Sequence, residues 1–111
     1  MTQIIDNTYI YESTANGGRL QELLLKIDDE LYQISIKCES HARQSFAKLS
    51  VMTPDKKWTE LKRRQPQRDF EIDISYSSSY TENAFLPIIK SFIRLIAKLH
   101  GVEANKLLKL I

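Results

Sequence analysis

The chain has 111 residues and a mass of 12.9 kDa. Its 42% hydrophobic and 27% charged residues are typical of one soluble globular domain and leave no room for a second domain of ordinary size. The single cysteine, Cys38, excludes an internal disulfide framework, so we expect a reducing, cytoplasmic setting. No apolar run approaches the roughly 18 residues of a membrane span, and the start MTQIIDNTYIYES lacks the pattern of a signal peptide.

The net charge of +2 results from four blocks of opposite sign. Residues 1–55 carry −3, residues 56–68 carry +5, residues 69–85 carry −4 and residues 86–111 carry +4. A nearly neutral total therefore conceals a compact basic block, and such a block can dominate the local potential.

The first half of the chain has the pattern of antiparallel strands. Thr8–Glu12 predicts an edge strand, followed by a turn at Asn16-Gly17-Gly18. Leu20–Ile27 fits helical spacing as well as a strand, but we favour a strand because Asp28-Asp29-Glu30 indicates a hairpin turn. Leu31–Glu39 alternates strictly, which is the mark of a half-buried strand. Its inward residues are Tyr32, Ile34, Ile36 and Cys38.

Three further strands are predicted in the middle of the chain. Ser45–Thr53 places Ala47, Leu49 and Val51 on one face, and Pro54-Asp55 supplies a turn. Lys57–Lys62 is then a short return strand carrying Trp58 and Leu61. Asp69–Tyr76 alternates again, and its inward residues would be Phe70, Ile72, Ile74 and Tyr76.

One strong helix is predicted over Asn83–Leu99, with a broad apolar face that includes Leu99. Its start is open between Asn83 as the cap and Ser79 with Glu82 in a capping box. Gly101 ends it in the manner of a left-handed cap. Its solvent stripe is Lys90, Arg94 and Lys98.

Together these elements predict one α+β domain over residues 1–111, an antiparallel β-meander of four to six strands packed on one face by a C-terminal α-helix. Val102–Ile111 is a candidate second short helix. Four of the last five residues are apolar, so the tail should dock. Two alternatives stay open: docking on its own chain, or a homodimer formed through the C-terminal helix and tail.

The residues that could carry catalysis or bind metal are few. Cys38, His41 and His100 are too few to supply the four ligands of a structural zinc site. Cys38 also points inward, as a core thiol does. Asp55 with Glu60-Leu61-Lys62 matches the letters of a metal-dependent nuclease pattern, but Asp55 would lie in a turn. Glu71 and Asp73 form an acid pair, which a solvated strand face explains equally well. We therefore expect no enzyme, metal or cofactor.

The basic block is the strongest functional feature. Its candidate partner-binding residues are Lys56, Lys57, Trp58, Lys62, Arg63, Arg64 and Arg68. Cations beside an aromatic ring suit single-stranded nucleic acid, and they suit an acidic protein surface as well. The third interpretation is a solvated loop, with Trp58 and Leu61 buried in the core.

Glu39–Met52, in which Gln44-Ser45 opens a strand, followed by Trp58-Thr59-Glu60-Leu61, resembles small phage and plasmid accessory proteins. The resemblance covers about a quarter of the chain. It implies a non-enzymatic binding protein of a mobile element that inhibits a host target, as anti-CRISPR proteins do, by contact with a host protein or a protein–nucleic acid complex.

Overall fold

A computed structural model describes residues 2–11, 19–39, 44–72 and 85–110. Five antiparallel strands form one sheet in the order β1-β2-β3-β4-β5, and three helices follow. The predicted α+β meander with a C-terminal helix is confirmed. The strands are β1 (Thr2–Tyr11), β2 (Arg19–Ile27), β3 (Glu30–Cys38), β4 (Phe46–Met52) and β5 (Trp58–Arg64), and the helices are α1 (Pro66–Phe70), α2 (Leu86–His100) and α3 (Ala104–Leu108).

The first three strands form two successive antiparallel pairs. β1 includes the predicted edge strand up to Tyr11 but begins earlier, at Thr2; residues 12–18 lie outside the described part. The strand interpretation of residues 20–27 is confirmed, because Leu23, Leu25 and Ile27 are buried at alternate positions. Asp28-Asp29 forms the tight turn into β3, and Asp28 takes a positive φ of 53°.

One prediction is wrong in its described part. Residues 69–72 do not form a strand: Asp69 and Phe70 belong to helix α1, while 73–76 lie outside the described residues. Local capping explains the difference, because the Gln65 side chain accepts a hydrogen bond from Arg68 N at 2.6 Å and Pro66 presets the first turn. Glu71 ends α1 with a φ of 54°.

Helix α2 covers the inner sheet face and builds the core. Its N-cap is Phe85, and the two predicted caps, Asn83 and Ser79, lie outside the described residues. Gly101 adopts a left-handed conformation with φ 65°, as predicted. The apolar face is confirmed except at its end, where Leu99 is 59% exposed. The buried residues of this face are Ile88, Ile89, Phe92, Ile93 and Ile96, and they pack with Leu23, Leu25, Ile34, Ile36 and Leu49 of the sheet.

The tail continues as the short helix α3, which confirms the second predicted helix. Leu107 is buried against the core of the same chain, whereas Leu110 is exposed. The tail therefore docks in part on its own chain, and the homodimer stays a prediction. No helix among the described residues has the length and apolar content that crossing a membrane requires.

Candidate partner-binding surface

Strand β5 is an edge of the sheet and carries three of the six cations of the basic block, Lys62, Arg63 and Arg64. Six of its seven residues are exposed, and the last, Arg64, is half-buried. Trp58 and Leu61 are each 41% exposed, so the interpretation that places both in the core is wrong. The reason is position: among the residues whose burial is described, the buried strand residues come from β2, β3 and β4, and β5 lies at the edge beside them.

The pairing register divides the β5 side chains between two faces. Lys62 lies opposite Leu49 and Glu60 lies opposite Ser50, so Leu61 is an extra residue in a β-bulge. Leu49 faces the core while Ser50 faces away from the helices, because neighbouring strand residues point to opposite sides. By the same register the helix side receives Thr59, Lys62 and Arg64, and the outer side receives Trp58, Glu60 and Arg63.

Two of the predicted contact residues are held by Asp69. Its carboxylate accepts hydrogen bonds from Arg68 Nε at 3.1 Å, Arg64 Nε at 3.3 Å and Gln65 N at 2.8 Å. These bonds, that from Arg68 first, lower the pKa of Asp69 to about 2. The Arg64 guanidinium also lies 5.0 Å from the centre of the Phe70 ring. Arg64 therefore holds α1 against the end of β5, whereas Arg68 is tied to its neighbour within α1.

The other cations of the block are more available. Arg63 binds Glu60 at 2.7 Å on the exposed surface, and this hydrogen bond lowers the pKa of the Glu60 carboxyl. Lys57 lies 4.0 Å from Asp55. Within the described part of the chain, no ion pair joins Lys56 or Lys62 to a carboxylate. These two lysines and the weakly held Lys57 can meet an anion without first losing a strong bond.

Phe46 belongs to this surface and was not among the predicted site residues. It lies half-buried on the outer face of β4, and both Lys48 Nζ and Arg63 Cζ lie over its ring, at 5.2 and 5.7 Å from the centre. The alternation of residues 45–53 already placed Phe46 on the face opposite Leu49, which was the available signal.

A pocket of about 440 Å³ opens on the helix side of β5. At its polar end, Tyr32 Oη donates to Glu30 Oε2 at 2.5 Å and contacts His100 Nε2 at 2.7 Å. Burial and the Glu30 carboxylate raise the pKa of Tyr32. The sequence placed Tyr32 inward and His100 at a helix end, but nothing in it joined the two.

The suspected metal and nucleophile residues do not converge. Cys38 is fully buried in the core, as predicted, and His100 lies at the far end of α2 beside Tyr32. His41 and Asp73 lie outside the described residues. Asp55 is in the turn before β5. Across residues 2–11, 19–39, 44–72 and 85–110, no three His, Cys, Asp or Glu side chains are grouped as metal ligands.

Comparisons with protein-family models, with curated proteins and with solved structures each found no match.

Proposed function

We propose that the protein is a small non-enzymatic binding protein that holds an acidic surface of a protein partner against strand β5. One observation carries the proposal: an edge strand rich in cations also exposes Trp58 and Leu61, each at 41%. Tryptophan and arginine are the residues that most often dominate binding energy at protein interfaces. A merely solvated strand would gain nothing from these two apolar side chains.

The binding is through side chains rather than by addition of a strand. A bulge at Leu61 and the charges of Lys62 and Arg63 both disfavour pairing with another strand, because they distort the edge and repel it. The exposed edge is thus protected against aggregation, while its exposed side chains are accessible to a partner.

Charge defines the chemistry of that partner. Residues 46–70 hold seven Lys or Arg against three carboxylates, a net charge of +4 in a chain whose total is +2. Such a patch accelerates association with an acidic protein surface and orients the partner as it approaches. The exposed apolar side chains would then supply the short-range part of the affinity.

Occupying a partner's surface is the only activity that such a protein needs. This is the mode of action implied by the resemblance of Glu39–Met52 and Trp58–Leu61 to small accessory proteins of phages and plasmids. We therefore propose that the protein inhibits a host target stoichiometrically, a defence complex of the kind blocked by anti-CRISPR proteins being one such target.

A second candidate function is binding of single-stranded nucleic acid, and Phe46 favours it. Lys48 and Arg63 lie over its ring on the outer sheet face, and a base can stack on the ring once phosphates draw the two cations away from it. Trp58 lies on the same outer face, opposite Met52.

Capture from host-cell extract tests the two functions. The tagged protein is compared with the Lys62→Glu/Arg63→Glu variant and with Arg94→Glu/Lys98→Glu, a control that makes the same charge change on exposed positions of α2. We expect one protein to be retained by the original chain and by the control, to resist nuclease treatment and to be lost from the β5 variant.

Titration of labelled single- and double-stranded oligonucleotides at two salt concentrations completes the test. The nucleic-acid function is supported if oligonucleotides bind in a salt-sensitive way, if Arg63→Ala abolishes that binding, and if no nuclease-resistant protein is captured. This result would contradict the proposed protein partner. Equal capture by the β5 variant and the control would show that β5 is not the contact surface.

A further inference from the structure

The pocket beside β5 has apolar walls and one polar end. Its walls include two exposed leucines, Leu61 from β5 and Leu99 from α2, with Val51, Met52 and Pro54. A second pocket of about 430 Å³ shares Glu30, Met52, Thr53 and Pro54 with it, so the two pockets adjoin at the turn before β5. A side chain inserted here would bury apolar surface that now faces water.

The polar end presents a hydrogen-bond acceptor. Tyr32 has one proton to give, and a carboxylate can only accept, so at 2.5 Å that proton goes to Glu30 Oε2. His100 Nε2, 2.7 Å from the Tyr32 oxygen, must then be the donor of that contact. Oε1 of Glu30 makes no hydrogen bond within the described part of the chain, and the side chain is 54% exposed. The pocket thus ends in a carboxylate oxygen that is open to a donor.

We propose that this pocket anchors one tyrosine or tryptophan side chain of an acidic partner segment, which deepens the proposed function and rests on it. An aromatic body matches the apolar walls, and a phenol or indole donor matches Glu30. An anionic side chain is excluded from the pocket by the same carboxylate. The acidic residues on either side of the anchor lie along Lys56 and Lys62, the two lysines without an ion pair to a described carboxylate.

Short synthetic acidic peptides with one central tyrosine test the anchor directly. Fluorescence anisotropy of a labelled peptide measures binding without relying on Trp58, which lies on the outer face of β5. We expect replacement of the peptide tyrosine by phenylalanine to weaken binding about tenfold, through loss of a hydrogen bond to a charged group. Replacement by alanine should weaken it about a hundredfold, as for a buried aromatic anchor.

Two variants of the protein locate the site. Leu99→Arg fills the pocket mouth and should abolish the preference for tyrosine over alanine. Glu30→Gln should reduce the preference for tyrosine over phenylalanine. Leu110→Arg is the matched control, since it makes the same change at an exposed leucine of the C-terminal tail and should behave like the original chain.

The outcomes separate this inference from the proposed function. One outcome is that acidic peptides bind and that Lys62→Glu/Arg63→Glu abolishes this binding, while the tyrosine, phenylalanine and alanine peptides bind with equal affinity. In that case the proposed tyrosine anchor is wrong and the proposed function stands. If tyrosine is preferred but Leu99→Arg leaves the preference intact, the anchor lies elsewhere and this pocket is excluded. If no acidic peptide binds while oligonucleotides do, both proposals fail.

Discussion

Tyr32 and His100 lie 68 residues apart in the chain and meet through a contact of 2.7 Å between Oη and Nε2. Tyr32 belongs to the central strand β3, and His100 is the last residue of α2. Their rings also meet edge to face, with centres 5.7 Å apart. The contact fixes the end of the helix over the sheet and closes one side of the pocket beside β5.

Removal of the Tyr32 hydroxyl should destabilise the fold while leaving its core packing in place. Tyr32→Phe keeps the buried ring but leaves Glu30 and His100 without their shared partner. We expect a loss of about 1–2 kcal/mol, the usual effect of deleting one partner of a part-buried hydrogen bond. Urea unfolding measures it, and an unchanged midpoint would show that the hydroxyl adds nothing to stability.

Alkaline pH should unfold the protein partly through the same residue. The pKa of Tyr32 is raised in the folded state, by burial first and by Glu30 second, above the value of about 10 for an unfolded tyrosine. The stabilisation is therefore complete below pH ~10 and is lost as the pH rises beyond it. Urea midpoints at pH ~8 and pH ~11 should differ less for Tyr32→Phe than for the original chain; equal differences would show that Tyr32 is not the group responsible.

The meander was predictable because residues 31–39 alternate strictly and Asp28-Asp29-Glu30 indicates a hairpin turn. Residues 20–27 fit helical spacing as well, and only the hairpin with β3 decides for a strand. Helix α1 was missed because the alternation of Asp69–Tyr76 favours a strand, whereas the cap formed by Gln65 and Pro66 prevails over residues 66–70.

The candidate site was only half predictable. The cations of the basic block are visible as composition, but exposure of Trp58 depends on which strand forms the edge of the sheet, and alternation does not reveal strand order. The contact between Tyr32 and His100 requires the helix to be docked on the sheet. Pairing of Asp69 with both Arg64 and Arg68 follows from α1, which the strand prediction had excluded.

Asp69 should make stability sensitive to acid. Its folded-state pKa of about 2 lies below the value of about 3.9 in unfolded chains. The contribution of Asp69 to the free energy of unfolding is thus present above pH ~4 and is lost as the pH falls through about 2. Asp69→Asn should flatten the fall of the urea midpoint between pH ~5 and pH ~2. Carboxyl carbon NMR checks the cause, since a normal pKa for Asp69 would show that the arginines do not hold it.

Gly101 should tolerate asparagine better than alanine. It takes a φ of 65° where it ends α2, and nothing lies within 4 Å of an added Cβ, so the effect of substitution is conformational rather than steric. Gly101→Ala should lower the free energy of unfolding by about 1 kcal/mol. Gly101→Asn should lower the free energy of unfolding clearly less, because asparagine adopts the left-handed backbone conformation more readily than alanine. Equal urea midpoints for the two variants would contradict the conformational explanation.

Deletion of Leu61 should allow the edge strand β5 to pair with a strand of another molecule. Leu61 is the extra residue between Lys62 and Glu60, which already pair with the adjacent Leu49 and Ser50. Without it, β5 keeps both pairs and becomes regular, so its unpaired edge can accept another strand. We expect concentration-dependent association by light scattering, whereas Leu61→Ala, which keeps the bulge, should match the original chain. Identical scattering by the deletion and Leu61→Ala would mean that the charges of β5 alone protect the edge.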